Sequence, residues 1–411
     1  MSDPDSNLLD IEHRHAALAE AHARPPLDLT GCRNLRHFAL RADAATKQAI
    51  LALIKIKDQS DDLRFVLGTL DRFVFKLEHH TEFITCTFVS QSNQEAGQLE
   101  SLAELIGQDL LGVICDIKIS FIDGNIGLTK SVDPTQRPLG GQMRGMEVRT
   151  TLQPDDDLRQ HFTICAANMS GHELGRRVQR LLEMETYRVL TLMGLEACRA
   201  SQGQLVVLEE ELDALVFSMT SMLSQSGGNR TLINRFSTLA TEMNTLRAAT
   251  RFRISASRAY CDIAVQRLAS LDEEPSGDLQ TITGFVRTRL DPAIATINSF
   301  EQRLDHLANE ISNALSLLRT HIEVETSQAN QQNLQSLNER HRQQLLISQT
   351  VEGLSIVAIS YYSVGLLSYV YKAMAAQGWL PLSLNLALMF SVPLVIGIVG
   401  LSLRRLRKHW A

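Results

Sequence analysis

The first third of the chain carries short runs of alternating apolar and polar residues separated by turn-forming clusters. Arg72–Leu77 (RFVFKL) and Glu82–Val89 (EFITCTFV) repeat with period two around Glu78–Thr81, the pattern of two paired strands. Asn34–Leu40, Val113–Ile122, Met146–Thr151 and Gln160–Ala166 also read as strands, and Asn7–Ala21, Ala44–Lys55 and Leu102–Leu111 as helices. Gly124–Gly145, with Pro134, Pro138, Gly140 and Gly141, reads as a long loop. About six strands with interspersed helices predict an α/β sheet domain over residues 1–170.

From Gly171 onward the period changes to that of helices. His172–Ala200 places Leu174, Val178, Leu181, Leu192 and Leu195 near one face, and Gln204–Ser224 follows as a second helix ended by Gly227 and Gly228. A third runs over Arg230–Leu271 and stops before Pro275-Ser276-Gly277; a fourth begins near Asp278. In the fourth, Phe300, Leu304, Leu307, Ile311, Leu315, Leu318 and Ile322 recur at steps of three and four, the narrow stripe of a coiled-coil or packed helix. Beyond Glu323 the stripe thins into the Gln/Asn-rich run SQANQQNLQSLNERHRQQ. Residues 171–350 are therefore expected to form a long-helix bundle and stalk.

Two uncharged stretches close the chain, Gly353–Tyr371 with 19 residues and Leu380–Leu403 with 24. About 20 helical residues cross the hydrocarbon core of a bilayer, so residues 351–411 are expected to form a two-helix transmembrane hairpin. Trp379 and Trp410 sit just outside the second stretch, where interfacial aromatics belong. Arg340 and Arg342 precede the first stretch, Arg404, Arg405, Arg407 and Lys408 follow the second, and the connecting loop holds only Lys372. By the positive-inside rule both ends face the cytoplasm. Pro393 is tolerated within the second span because neighbouring groups re-satisfy the freed carbonyl. Ser355, Ser360, Ser363 and Ser368, with Gly353 and Gly365, suit close helix packing and would also suit a polar pore lining.

Composition sharpens this picture. The chain has 411 residues, 44% hydrophobic, with a net charge of −6, too apolar for disorder and too acidic for a nucleic-acid binder. All 46 acidic groups but only 35 of the 40 basic ones lie before Gly353, giving a −11 body and a +5 tail placed to meet anionic membrane lipid. The six cysteines have no short spacing and read as free thiols in a reducing compartment. The acidic Met1–Asp10 has no apolar run, so no secretory signal is expected.

Candidate chemistry is sparse. His13, His15 and His22, and Glu78, His79, His80 and Glu82, cluster in sequence, but no zinc, HExxH or EF-hand spacing occurs. Glu183 and Glu185 are two residues apart on a helix and so face different ways. Arg180–Glu183 and Glu185–Arg188 suit ion pairs, the second of them buried beside the apolar stripe. No GxGxxG, P-loop or GxSxG motif is present. The reading is a non-enzyme without a cofactor or catalytic residues, with any metal unknown.

Five segments resemble signatures of a bacterial membrane-anchored family, domain-of-unknown-function family 3422. They are HARPPLDL (His22–Leu29), HHTEF (His79–Phe83), LLEMETYR (Leu181–Arg188), FRISASRAY (Phe252–Tyr260) and TVEGLSIVAISYY (Thr350–Tyr362). The resemblance implies a bacterial inner-membrane protein and transfers no activity. The architecture, α/β domain, long helices, two spans and basic tail, also resembles CorA-type cation transporters, whose likeness implies a homo-oligomer, as a pentamer, with the first span lining a pore. Glu352, Ser355 and Ser363 would then line it. Lys372-Ala373-Met374 stands where that family has Gly-Met-Asn, and a ring of lysines repels cations. The alternative is a non-transporting scaffold or sensor whose cytosolic domain recruits a protein partner or senses an ion.

Overall fold

The computed structural model describes residues 25–53, 65–70, 73–91, 112–123, 137–166, 168–222, 229–377 and 383–410, together with Leu99 and Ser101. The expected helices Asn7–Ala21 and Leu102–Leu111, the N-terminal histidines, Gly227 and Gly228, and Trp379 lie outside the described residues. The chain divides into two compact units, Met1–Leu315 and Ser316–Ala411.

The first unit is organised around a sheet with nine described strands: β1 (Asn34–Arg41), β2 (Phe65–Leu70), β3 (Phe73–His79), β4 (Phe83–Ser90), β5 (Val113–Ile122), β6 (Leu139–Met143), β7 (Met146–Thr150), β8 (Gln160–Ala166) and β9 (Glu273–Pro275). Their order is β2-β3-β4-β1-β5-β8-β7-β6-β9. All pairs are antiparallel except β5 with β8. Three of these strands correct the sequence reading. β2 was not expected, β6 falls within the expected loop, and the Glu273–Pro275 segment pairs with β6 as an edge strand instead of simply ending a helix.

Strand alternation sorts the sheet into two faces. Leu35 and Ala39 of β1, Ile117 and Ile119 of β5 and Ile164 of β8 enter one core. Phe38 and Leu40 of β1, Phe75 and Leu77 of β3 and Phe88 of β4 enter the other, with Ile50 of α1 (Ala44–Leu53). Three long helices contribute to the first core: α2 (Gly171–Met222), α3 (Asn229–Ser270) and the start of α4 (Ile282–Ala376). Val178 and Leu181 come from α2, Ala264 and Leu268 from α3, and Ile282, Val286 and Leu290 from α4. The expected break between Ala200 and Gln204 does not occur, because α2 runs through Gly203 in open space. A helical glycine there costs about 1 kcal/mol, which flanking Cys198, Leu205 and Leu208, all buried, offset. The expected stripe is buried at Phe300, Leu304, Leu307 and Ile311.

Charged pairs sit inside this unit, among them Arg36–Asp116 and Glu185–Arg188. Arg36, 1% exposed, donates to both carboxylate oxygens of Asp116 at 2.7 Å. Glu185, fully buried, accepts from Arg188 Nε at 2.8 Å and Nη2 at 2.6 Å, as the i, i+3 spacing predicts. The other expected pair is replaced. Glu183 accepts instead from Arg267 and, at 2.8 Å, from Gln179, while Arg180 donates to the Ser270 carbonyl at 3.2 Å. Glu183 and Glu185 thus serve different surroundings, as their spacing requires. All six cysteines are buried thiols.

The second unit comprises the rest of α4 and α5 (Leu384–Trp410). α4 continues without interruption through the Gln/Asn-rich run, where residues 326–350 are exposed throughout, into the first apolar stretch. α5 passes through Pro393. Both helices are long and apolar enough to cross a membrane. Leu354, Val357, Tyr361, Leu366, Met389, Phe390, Leu394 and Leu401 are each more than 60% exposed, whereas Ser360, Ser391 and Val395 are buried.

Candidate functional site

The first unit holds a partly open cavity of about 290 Å³ between the β3-β4-β1 region of the sheet and α2. Its sheet wall is polar. Register places Thr87 of β4 opposite both His37 of β1 and Lys76 of β3, and Thr85 opposite Glu78. Four strand positions facing α2 therefore present Lys76, Thr87, His37 and Glu78 where apolar residues would be expected. Lys76 is 4% exposed and its ammonium stands 3.1 Å from Glu78 Oε1, which accepts no aligned hydrogen bond. Thr85 donates to Glu78 Oε2 at 3.4 Å, and Lys76 reaches Gln179 Oε1 at 3.5 Å.

The opposite wall comes from α2 and α3. Gln179 and Glu183 lie one helical turn apart and are hydrogen-bonded, and Arg267 of α3 caps Glu183. Lys76–Glu78 and Glu183–Arg267 thus form two ion pairs on facing walls, bridged by Gln179. Leu27, Leu29, Leu35, Phe83, Val178 and Leu182 supply the apolar part of the lining. Gly175 lets the Leu27–Leu29 segment lie directly on the helix, since a Cβ there would stand 1.8 Å from the Leu27 carbonyl oxygen.

His37 is the most constrained polar group in the cavity. Its Nδ1 is 2.8 Å from Thr87 Oγ1 and its Nε2 3.2 Å from Thr186 Oγ1. Burial, then repulsion from Lys76 and His80, lowers its pKa to about 3, so the ring is neutral. A neutral imidazole has one N–H, so one threonine accepts from it and the other donates to it. Thr186 in turn bonds the thiol of Cys115, whose pKa burial pushes well up.

Three of the five segments that carry the family resemblance line this cavity. Leu27 and Leu29 belong to the first, His80 and Phe83 to the second, and Leu182, Glu183, Thr186 and Tyr187 to the third; all line the cavity. The fourth is tied to the second beside it. Arg253 donates to Glu82 at 3.0 Å, and Tyr260 is hydrogen-bonded to the same carboxylate. Phe83, Tyr187 and Tyr260 pack with ring centroids 5.6 to 6.2 Å apart, two of the contacts edge-to-face.

The residues proposed from sequence lie elsewhere, in the second unit. Glu352, Ser355 and Ser363 are half-buried, and the Ser355 hydroxyl donates to the Val351 carbonyl at 2.8 Å. Arg405 is exposed; the side chains of Arg404, Arg407, Lys408 and Trp410 lie outside the description. His79 and His80 do not act together: His80 stacks on Phe83 at 4.2 Å, and burial lowers the His79 pKa. Among the described residues no group of three or more His, Cys, Asp or Glu side chains is arranged to hold a metal ion. Sequence reasoning singled out Glu78 only within a cluster of candidate metal ligands and missed His37, Lys76 and Thr87. Their signal was the presence of polar residues at inward strand positions.

These features define a mixed α/β protein with a partly open cavity, polar on its sheet wall, in one unit and two stretches of membrane-crossing length in the other. The chain belongs to the family DUF3422, described as proteins of unknown function, which matches residues 10–410. A search of curated proteins returned no match.

Proposed function

We propose that this protein is a ligand sensor anchored in the bacterial inner membrane, its first unit in the cytosol and both chain ends on the cytosolic side. The observation that carries the reading is the cavity, where three family-resembling segments meet, with a fourth packed against one of them, around buried groups of opposite charge. Burying Lys76, Glu78 and His37 together costs stability unless they serve a bound molecule or a very well satisfied network, and Glu78 Oε1 accepts no aligned hydrogen bond. The two apolar helices and the cationic residues after the second support the anchor. The cytosolic unit would pass occupancy of the cavity to a protein partner. Exposed Leu334, Leu337, Leu345 and Leu346 on α4 support a homo-oligomer.

The test is a thermal-shift screen of the detergent-solubilised full chain against metal salts, nucleotides, phosphate, sugars and amino acids, alongside Leu182→Trp, which fills the cavity. At least one class should raise the melting temperature of the wild type and not that of the filled variant. If every class leaves both proteins unmoved, or shifts both equally, the sensor reading fails.

A second reading is ion transport, favoured by the uninterrupted course of α4 into the first apolar stretch with Glu352 at its start. It requires metal-dependent flux in proteoliposomes that Glu352→Ala abolishes. Flux equal to that of empty liposomes, from a correctly assembled oligomer, rejects it.

A further inference from the structure

The charges of the cavity cancel, and that decides what it can hold. Lys76 is matched by Glu78 and Arg267 by Glu183, His37 is neutral, and the remaining titratable lining group, His80, stacks on Phe83. A phosphate or a metal cation entering this space would bring an uncompensated charge against the buried Lys76, Glu78 and His37, which is costly. A net-neutral ligand with separated charges would not. From this, and resting on the sensor reading above, we infer that the cavity binds a compact zwitterion carrying one ammonium, one carboxylate and an apolar flank, the chemistry of a free α-amino acid.

Each end of such a molecule meets a group with unused capacity. Glu78 Oε1 has a charge nearby but no aligned donor, and so can accept from an ammonium. Lys76 has three N–H donors, with the unaligned Glu78 oxygen at 3.1 Å and the distant Gln179 oxygen at 3.5 Å, so donors remain for a carboxylate. Gln179 Nε2 is committed to Glu183, which holds the helix-side pair closed and leaves Lys76–Glu78 as the pair that opens. Leu29, Phe83 and Leu182 offer the apolar flank a wall. The volume, about 290 Å³, is large enough to admit a free amino acid.

The experiment is isothermal titration of the full chain in detergent with each of the twenty protein amino acids. It is repeated with the best binder's two half-molecules, the corresponding amine lacking the carboxylate and the acid lacking the amine. Inorganic phosphate, magnesium chloride and AMP serve as charged comparisons. At least one amino acid should bind saturably, each half-molecule should bind about tenfold more weakly or worse, and Lys76→Met and Glu78→Gln should each weaken binding by about tenfold. Variants are compared after confirming that their cysteines stay as unreactive as the wild type's; Thr85→Val provides a milder change on the same carboxylate. Binding of phosphate, magnesium or AMP in place of every amino acid, or a half-molecule binding as tightly as the whole, overturns the zwitterion and leaves the sensor reading standing. No binding by anything in either this experiment or the thermal screen removes both.

Discussion

Acidification should destabilise the first unit chiefly through His37, with His79, whose pKa burial also lowers, acting in the same direction. In the unfolded chain its imidazole takes a proton near its ordinary 6.5, but in the fold it does so only at about 3. Between those values the unfolded state binds more protons, so stability is fully present above about pH 6.5 and falls as pH drops toward 3. Each pH unit in that window is worth about 1.4 kcal/mol, so moving to about pH 5 costs about 2 kcal/mol through this group. The described cysteines report this unfolding directly, because all six lie before Leu315 and all are buried. Urea titrations scored by labelling with a dithiopyridine, at about pH 7.5 and about pH 5, give the free-energy difference for the first unit. His37→Gln keeps a hydrogen-bonding group between Thr87 and Thr186 but cannot titrate, so its pH-dependent loss should be smaller by about 2 kcal/mol. Equal losses in wild type and variant would show that His37 is not held neutral, and the account of the polar wall would fail with it.

Further outcomes follow from other contacts. Arg188→Met leaves the fully buried Glu185 unpaired and should cost about 3–5 kcal/mol, while the double variant Glu185→Met/Arg188→Met should recover most of that in the same urea assay. Gly175→Ala forces a methyl onto the Leu27 carbonyl and should cost about 1–3 kcal/mol, with faster limited proteolysis across Pro25–Thr30. In the native protein the thiols should resist labelling at mildly alkaline pH, since burial pushes Cys32 up to about 12 and Cys198 up to about 11; rapid labelling of either would contradict their packing.

Much of the fold could be read from period alone where one face of an element is fully buried. β1, β4, β5 and β8 showed themselves through strand-like apolar runs, and α3 through its flanking breakers. β6 did not, because its sequence LGGQM carries two glycines that read as loop. In the structure those glycines mark close approach: a Cβ at Gly140 would stand 2.3 Å from the Val148 oxygen, and at Gly141 2.6 Å from the Glu274 oxygen. β9 is three residues long and contains Pro275, which only an edge position tolerates. The continuity of α2 through Gly203 reflects burial on either side, which no local propensity reveals. The cavity was hidden for a different reason. Its groups are brought together by register between strands distant in sequence and by one turn of α2, and none of them forms a motif along the chain. The apolar stretches of α4 and α5 were plain, because length and the absence of charge need no partner to be recognised.

The edge position of β9 also bears on synthesis. β9 pairs with β6 through Glu273–Pro275, and no later residue contributes a described strand. The sheet thus has all its described strands once Pro275 has left the ribosome, well before the apolar stretch that begins at Gly353 is made. Domains fold as units from the N-terminal side during translation, so the first unit can close its polar wall before the apolar end of the chain emerges. A variant that delays β9, through its pairing with Gly141, would present an open sheet edge and the emerging apolar helix at the same time.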